Sequence, residues 1–184
     1  MSRITPLSPP YAAETEAALA RWMGPARERE PLALFRVLEH HPELASRMRV
    51  LGSGLLVHGT LPAVERETVV QRVCARAGCS YEWGVHAEVF GGRVGLSPRR
   101  LRATVYDDAG AWTERQAILV RVVDELHDGA DLTDEAWADL RVRFGDREIV
   151  EILVLAGWYR TIAYVANALR LPAEEWAAPY PVRA

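Results

Sequence analysis

Glu67, Cys79, Glu82 and His86 are the residues whose types and spacing can do chemistry in this 184-residue chain. The last three fall in Cys79-Ser80-Tyr81-Glu82-Trp83-Gly84-Val85-His86, and Glu67 precedes Cys79 by twelve positions. A thiol, two carboxylates and an imidazole converging on one pocket would support proton transfer or thiol chemistry. On a helix advancing about 100° per residue, Cys79, Glu82 and His86 stand at i, i+3 and i+7, within roughly 60° of one another, so they share a face. Tyr81, Trp83, Val85 and Phe90 flank that face with apolar bulk, which predicts partial burial and makes Tyr81 and Trp83 candidate substrate-binding walls. The plainer alternative stays open: Glu82 and His86 as a solvated i, i+4 pair, Cys79 as a small buried hydrophobe, and Glu67 as a helix-start carboxylate.

The elements that must position these residues are punctuated clearly. Leu61-Pro62 followed by Ala63-Val64-Glu65-Arg66-Glu67 predicts a helix that starts on a proline, carries acids near its positive end and runs to about Ala77. Gly78 suits the left-handed position that ends it. Cys79 or Ser80 then opens a second helix carrying residues 81–90, which stops at Gly91-Gly92. Unpaired N–H groups at that helix start would favour a Cys79 thiolate.

At these residues the chain resembles the carboxymuconolactone decarboxylase and alkylhydroperoxidase D superfamily. The peroxidase branch has a glutamate twelve residues before the first cysteine of a Cys-x-x-Cys pair and a histidine four residues after the second. Glu67, Cys79 and His86 match the glutamate, the first cysteine and the histidine, while Glu82 stands where the second cysteine would be. The dithiol is therefore missing, and Glu82-x-x-x-His86 fits the decarboxylase branch. The resemblance extends from the Leu34 to Leu44 run through Asp124-Glu125-Leu126-His127 to Leu171. It implies an alkylhydroperoxidase D-like helical fold, a site without metal or other cofactor, and homo-oligomers, commonly trimers or hexamers, with pockets near subunit contacts; the sequence alone does not choose among dimer, trimer and hexamer.

The rest of the sequence agrees with an all-α protein. Apolar residues recur at helical intervals in Leu32, Phe35, Val37 and Leu38, in Leu44, Met48, Leu51 and Leu55, and in Ile118, Leu119, Val122, Val123 and Leu126. Thr133 offers an N-cap, and Gly145-Asp146 introduces a long helix from Arg147 to Leu169 that is apolar on most sides. An echo at an offset of 81 residues aligns Arg66-Glu67 with Arg147-Glu148 and Val73 with Val154, whereas Cys79, Glu82 and His86 meet Arg160, Ala163 and Asn167. A degenerate helical repeat and chance similarity of two amphipathic helices both account for it. We expect an N-terminal arm over residues 1–30, one all-α domain over 31–172 and a C-terminal tail over 173–184.

Composition narrows the function classes. With 49% hydrophobic and 26% charged residues and a net charge of −3, the chain is an ordinary globular protein. Arginines are interspersed with acids, the cluster Arg99-Arg100 and Arg102 reads as a solvated helix start, and no nucleic-acid partner is expected. The two cysteines, Cys74 and Cys79, point apart across Gly78 and fit free thiols in a reducing cytosol. No signal core and no run of membrane-spanning length is evident, so a cytoplasmic protein without a membrane partner is expected. His40, His41, His58 and His127 read as capping or packing residues, the last as a cation at a helix C-terminus. Cys79, Glu82 and His86 could ligate zinc, but no fourth ligand is evident. Three readings follow: a cofactor-free acid–base enzyme acting on a small carbonyl or lactone acid through His86, a thiol peroxidase working through Cys79 alone, and a non-catalytic oligomeric binding protein.

Overall fold

Proline, glycine and hydroxyl caps divide the chain into the helices that this sequence pattern predicts. The computed structural model describes residues 1–24 and 29–182, and among them there are nine α-helices and no strand. They are α1 (Ala13–Met23), α2 (Ala33–Leu38), α3 (Pro42–Val57), α4 (Ala63–Arg76), α5 (Ser80–His86), α6 (Pro98–Ala103), α7 (Glu114–Gly129), α8 (Asp134–Arg143) and α9 (Asp146–Leu169). Pro42 and Pro98 open α3 and α6, where a missing N–H costs nothing. Thr113 and Gln116 form a reciprocal cap on α7, and Thr133 accepts from the Ala136 amide on α8.

Helix α4 is the axis of the molecule. It packs against α5, α7 and α9, and nine of its fourteen residues are buried. Val69, Val70 and Val73 meet Leu119, Val122, Ile152 and Leu155 in the core, each such side chain contributing about 1.5–3 kcal/mol by leaving water. Most of its buried polar side chains are paired, Glu65 with Arg115 at 2.6 Å, Arg72 with Asp124 at 2.7 Å, and Thr68 Oγ1 accepting from Gln116 Nε2 at 3.2 Å, while Gln71 Oε1 has no partner among the described residues. The Glu151 carboxylate of α9 accepts from the Thr60 and Leu61 amides just before α4, which fixes how the helix enters the core.

Three outcomes differ from the sequence-based expectation. The second helix of the site does not run to residue 90 as α-helix; α5 ends at His86 and a single π turn, Ala87–Gly91, follows. The long apolar helix α9 has the length and composition of a membrane span, although no such run was expected. Here it is a core helix, with Ile152, Leu155, Tyr159, Ile162 and Ala166 buried. It is not covered on most sides, since Val150, Leu153, Val154 and Tyr164 form an exposed outer stripe. The echo at 81 residues does not extend to architecture, because α4 and α5 are broken at Gly78, which has φ of 61°, whereas α9 is continuous.

Both expected end segments pack on the domain. The first carries α1, whose Leu19 is buried. The second is an extended strap over residues 172–182 that crosses α5: the Ala178 amide donates to Gly84 O at 3.1 Å, and Tyr106 donates to Pro181 O at 2.8 Å. Glu174 Oε1 accepts from the Tyr81 hydroxyl at 2.5 Å and from the Ala33 amide at 2.7 Å, so one carboxylate joins the strap, α5 and the start of α2.

This crossing needs glycine. A Cβ on Gly84 would sit 2.6 Å from Ala178 O, a contact that backbone cannot tolerate. Gly84→Ala is expected to displace the strap and cost about 1–3 kcal/mol, read as a lower urea midpoint with loss of amide-exchange protection at Ala178. Unchanged protection there would refute the crossing.

Candidate functional site

The reversal at Gly78 folds α5 back onto α4, and that alone brings Glu67 to His86 across nineteen residues of chain. His86 Nδ1 lies 2.7 Å from Glu67 Oε2, and both side chains are buried, at 4% and 0% exposure. On the other side of the ring, His86 Nε2 is 3.1 Å from the Tyr159 hydroxyl and 3.4 Å from Glu82 Oε1. Arg66 closes the chain at its far end, with Nε 3.3 Å from Glu67 Oε1 and Nη1 donating to Leu56 O at 3.1 Å. The four charges of Arg66, Glu67, His86 and Glu82 sum to zero, which is how a buried ionic set is tolerated.

A cavity of about 480 Å³ opens on this constellation. Glu82, Val85, His86 and Val89, at i, i+3, i+4 and i+7, present one stripe to it, and Tyr159 contributes from α9. The π turn widens the backbone just after His86 and places the Phe90 ring 4.9 Å from the imidazole. Among the described residues Glu82 Oε2 is buried without a hydrogen-bond partner. A buried carboxylate oxygen left so is costly unless something else occupies the space beside it.

The other candidates from the sequence lie behind this wall. Cys79 is fully buried and does not line the cavity. It is the residue before α5 rather than in it, with φ −91° and ψ 81°, so its side chain leaves the i, i+3, i+7 phase expected of it. Burial pushes its thiol up to about 11, and the Glu82 charge adds to this against the helix-start N–H groups; the expected thiolate is therefore not favoured. Tyr81 and Trp83 are not cavity walls either. The Tyr81 hydroxyl is taken by Glu174 and the Leu34 amide, and Trp83 Nε1 donates to Thr104 Oγ1 at 2.9 Å, because residues either side of Glu82 point about 100° away from it. No group of three or more His, Cys, Asp or Glu is arranged to hold a metal among the described residues.

Tyr159 was missed by the sequence reading. It stood among the apolar residues of α9, and the signal that could have singled it out is a phenol in a helix otherwise buried by aliphatic side chains. Burial and the Glu82 and Glu67 charges hold it well above the ordinary tyrosine range, so it stays a hydrogen-bond donor. His127 also differs from expectation, because burial and the neighbouring Arg160 and Arg76 lower its pKa and disfavour the cation at the end of α7.

The carboxymuconolactone decarboxylase family matches residues 42–120, from the start of α3 into α7, and this span contains Glu67, Cys79, Glu82 and His86. Over this span the chain is similar to the carboxymuconolactone decarboxylase family. The match begins after the Leu34 to His41 part of the resemblance and ends before Asp124. Solved structures share the fold of this chain. A protein of unknown function from Agrobacterium tumefaciens, suggested to be an AhpD antioxidant defence protein, superposes with TM-score 0.69 at 23% identity, covering 75% of this chain and 95% of that one. An uncharacterised peroxidase-related protein from Silicibacter sp. TM1040 gives TM-score 0.80 at 18% identity over 94% and 93%. The debrominase Bmp8 gives 0.78 at 14% identity over 96% and 94%, and is also known as a cysteine-to-alanine variant in complex with 2,3,4-tribromopyrrole. No curated protein matches by sequence.

Burial works against a charged imidazole, and the Glu67 and Glu82 carboxylates outweigh it, so the His86 pKa is pushed up to about 10. A folded-state pKa above the unfolded value of 6.5 contributes stability that is fully present below pH 6.5 and is lost as pH rises through about 10. Urea unfolding of the wild type is therefore expected to weaken over that window relative to a His86→Gln variant. Nitrogen-15 shifts of His86 are expected to report an imidazolium at pH 8. A neutral ring at that pH would contradict the arrangement.

Proposed function

We propose that the chain is a cofactor-free acid–base enzyme acting on a carbonyl- or lactone-bearing carboxylic acid, with Glu82 as the group that touches the substrate. The observation that carries this is the Oε2 atom of Glu82, buried with no partner among the described residues while Oε1 faces His86 and the residue lines the cavity. Both nitrogens of His86 are engaged, so the imidazolium serves as a proton reservoir behind Glu82 rather than as the contacting base that the spacing first suggested. When His86 Nε2–H donates to the Tyr159 oxygen, the phenolic hydrogen is free to point into the cavity.

This arrangement suits decarboxylation or isomerisation next to a carbonyl. As carbon dioxide leaves, the electron pair of the broken C–C bond moves onto the carbonyl oxygen as an enolate, which Tyr159 steadies by hydrogen bonding. A proton passed from the His86 imidazolium to the Glu82 carboxylate then adds to carbon. In an isomerisation Glu82 removes a proton from one carbon and returns it to another. Neither sequence needs an oxidant or reductant.

The thiol reading has less support in the geometry. A one-cysteine peroxidase needs an accessible low-pKa thiolate, and Cys79 is enclosed, pushed up to about 11 and off the cavity wall. The exposed stripe of Val150, Leu153, Val154 and Tyr164 on α9 supports a homo-oligomer as part of this proposal.

Carboxymuconolactone and short β-keto acids are the substrates to test, with carbon dioxide release as the readout. Turnover is expected without added metal, flavin or thiol. Glu82→Gln and His86→Gln should each lower kcat by about 10²–10⁴, while Cys79→Ser stays near wild type. Peroxide turnover that requires Cys79 and survives Glu82→Gln would overturn the proposal.

A further inference from the structure

Nearly every arginine in this fold that is not fully solvated has a visible partner. Arg36, Arg66, Arg72, Arg76, Arg115 and Arg121 pair with carboxylates, and Arg100 bonds the Ala111 carbonyl. Arg49 is the exception that faces the cavity. It is half-buried on α3, lines the cavity, and makes no hydrogen bond or ion pair among the described residues. A shallow cleft adjoining the cavity shares Arg21, Trp22 and Arg49 and adds Glu14 and Glu39. Neither acid comes within ion-pair distance of Arg49 among the described residues, and Glu39 Oε1 already accepts from Trp22 Nε1 at 2.9 Å.

The position of Arg49 along α3 gives the unmet charge a meaning. Arg49, Gly52, Ser53 and Leu56 stand at i, i+3, i+4 and i+7 and present one stripe to the cavity. At the Leu56 end, the carbonyl bonds Arg66, the outermost member of the chain that runs through Glu67 to His86. Arg49 lies seven residues away, or about 10 Å along the helix. Between the two ends the wall is aromatic: the Trp158 ring seats against Gly52, where a Cβ would meet it at 2.9 Å, and Trp22 and Phe35 are stacked at 4.6 Å. The cavity lining therefore combines the half-buried Arg49, flat aromatic surfaces and the Glu82–His86 pair, and the exposed Arg21, Arg29, Arg93 and Glu88 also border it.

We infer that Arg49 is the anchor for the carboxylate of a flat aromatic acid whose reacting end lies at Glu82 and His86 in the same cavity. The inference rests on the acid–base reading of the site and adds the substrate class and the residue that selects it. A guanidinium takes a carboxylate through two parallel hydrogen bonds, and the aromatic walls favour a planar conjugated spacer over a flexible chain. Arg49 is a specificity residue that orients the ligand and performs no proton transfer.

Cinnamate and cinnamamide are the probes, equal in shape and different in charge, with quenching of the cavity tryptophans as the readout. Wild type should bind cinnamate at least about tenfold more tightly than cinnamamide, the difference that a charged hydrogen bond makes. Arg49→Gln should erase that preference and leave cinnamamide binding unchanged, Arg49→Lys should restore part of it, and Arg47→Gln, on the exposed face of the same helix, should leave it intact. Equal binding of the two probes by wild type, which depends on no variant folding, would overturn the inference. So would a preference that survives Arg49→Gln. Acid preference without turnover of any keto or lactone acid would support the anchor and remove the acid–base reading. Turnover with no acid preference would do the reverse.

Discussion

The hydrogen bond between Glu67 and His86 is the constraint around which this molecule is arranged. It joins α4 to α5 in the interior, where removing one partner leaves a buried charge uncompensated at a cost of about 3–5 kcal/mol. Set against a total stability of about 5–15 kcal/mol for a domain, that is too large for the fold to leave to chance. Arg66 on the outer side and Glu82 on the inner side complete a neutral row of alternating charges. The row ends at Glu82, which lines the cavity, so the same interactions that make an ionic interior tolerable also leave there a buried carboxylate oxygen without a hydrogen-bond partner among the described residues.

Holding that row in register requires support from elements far away in sequence. The strap over residues 172–182 runs across α5 at Gly84, and Glu174 ties Tyr81 to the start of α2, whose Leu34 and Phe35 line the cavity. Behind α4, the pairing of Arg72 with Asp124 and of Glu65 with Arg115 fixes the opposite face against α7. The interactions that keep Tyr81 and Trp83 away from the cavity are thus the ones that steady the helix carrying Glu82 and His86.

Much of this was legible in the sequence. Pro62, Gly78, Thr133 and Gly145 mark helix boundaries because proline, left-handed glycine and hydroxyl caps act locally, and the structure places the boundaries there. The meeting of Glu67 with His86 followed from a spacing known in a superfamily. What local rules could not give was set by tertiary contacts. Cys79 left the helical phase because it adopts a non-helical backbone at the turn, and its thiol lost its expected acidity to burial. Tyr159 reached His86 from 73 residues away through the packing of α9 on α5, and periodicity within α9 carries no information about that partner. The arginine facing the cavity was equally invisible, since the absence of a partner is a property of the assembled fold.

The π turn at Ala87–Gly91 makes the cavity sensitive to chain length as well as to side chains. Such a turn contains one residue more than an α turn would need. Deleting any single residue within it would let α5 continue as an ordinary helix, with the change of phase falling inside the turn, where Phe90 stands. Phe90 would then leave the face of His86, and water would gain the imidazole that it now excludes. One-residue gaps and insertions at this point are therefore a route by which related chains could exchange a dry imidazole for a wet one without altering Glu67, Glu82 or His86.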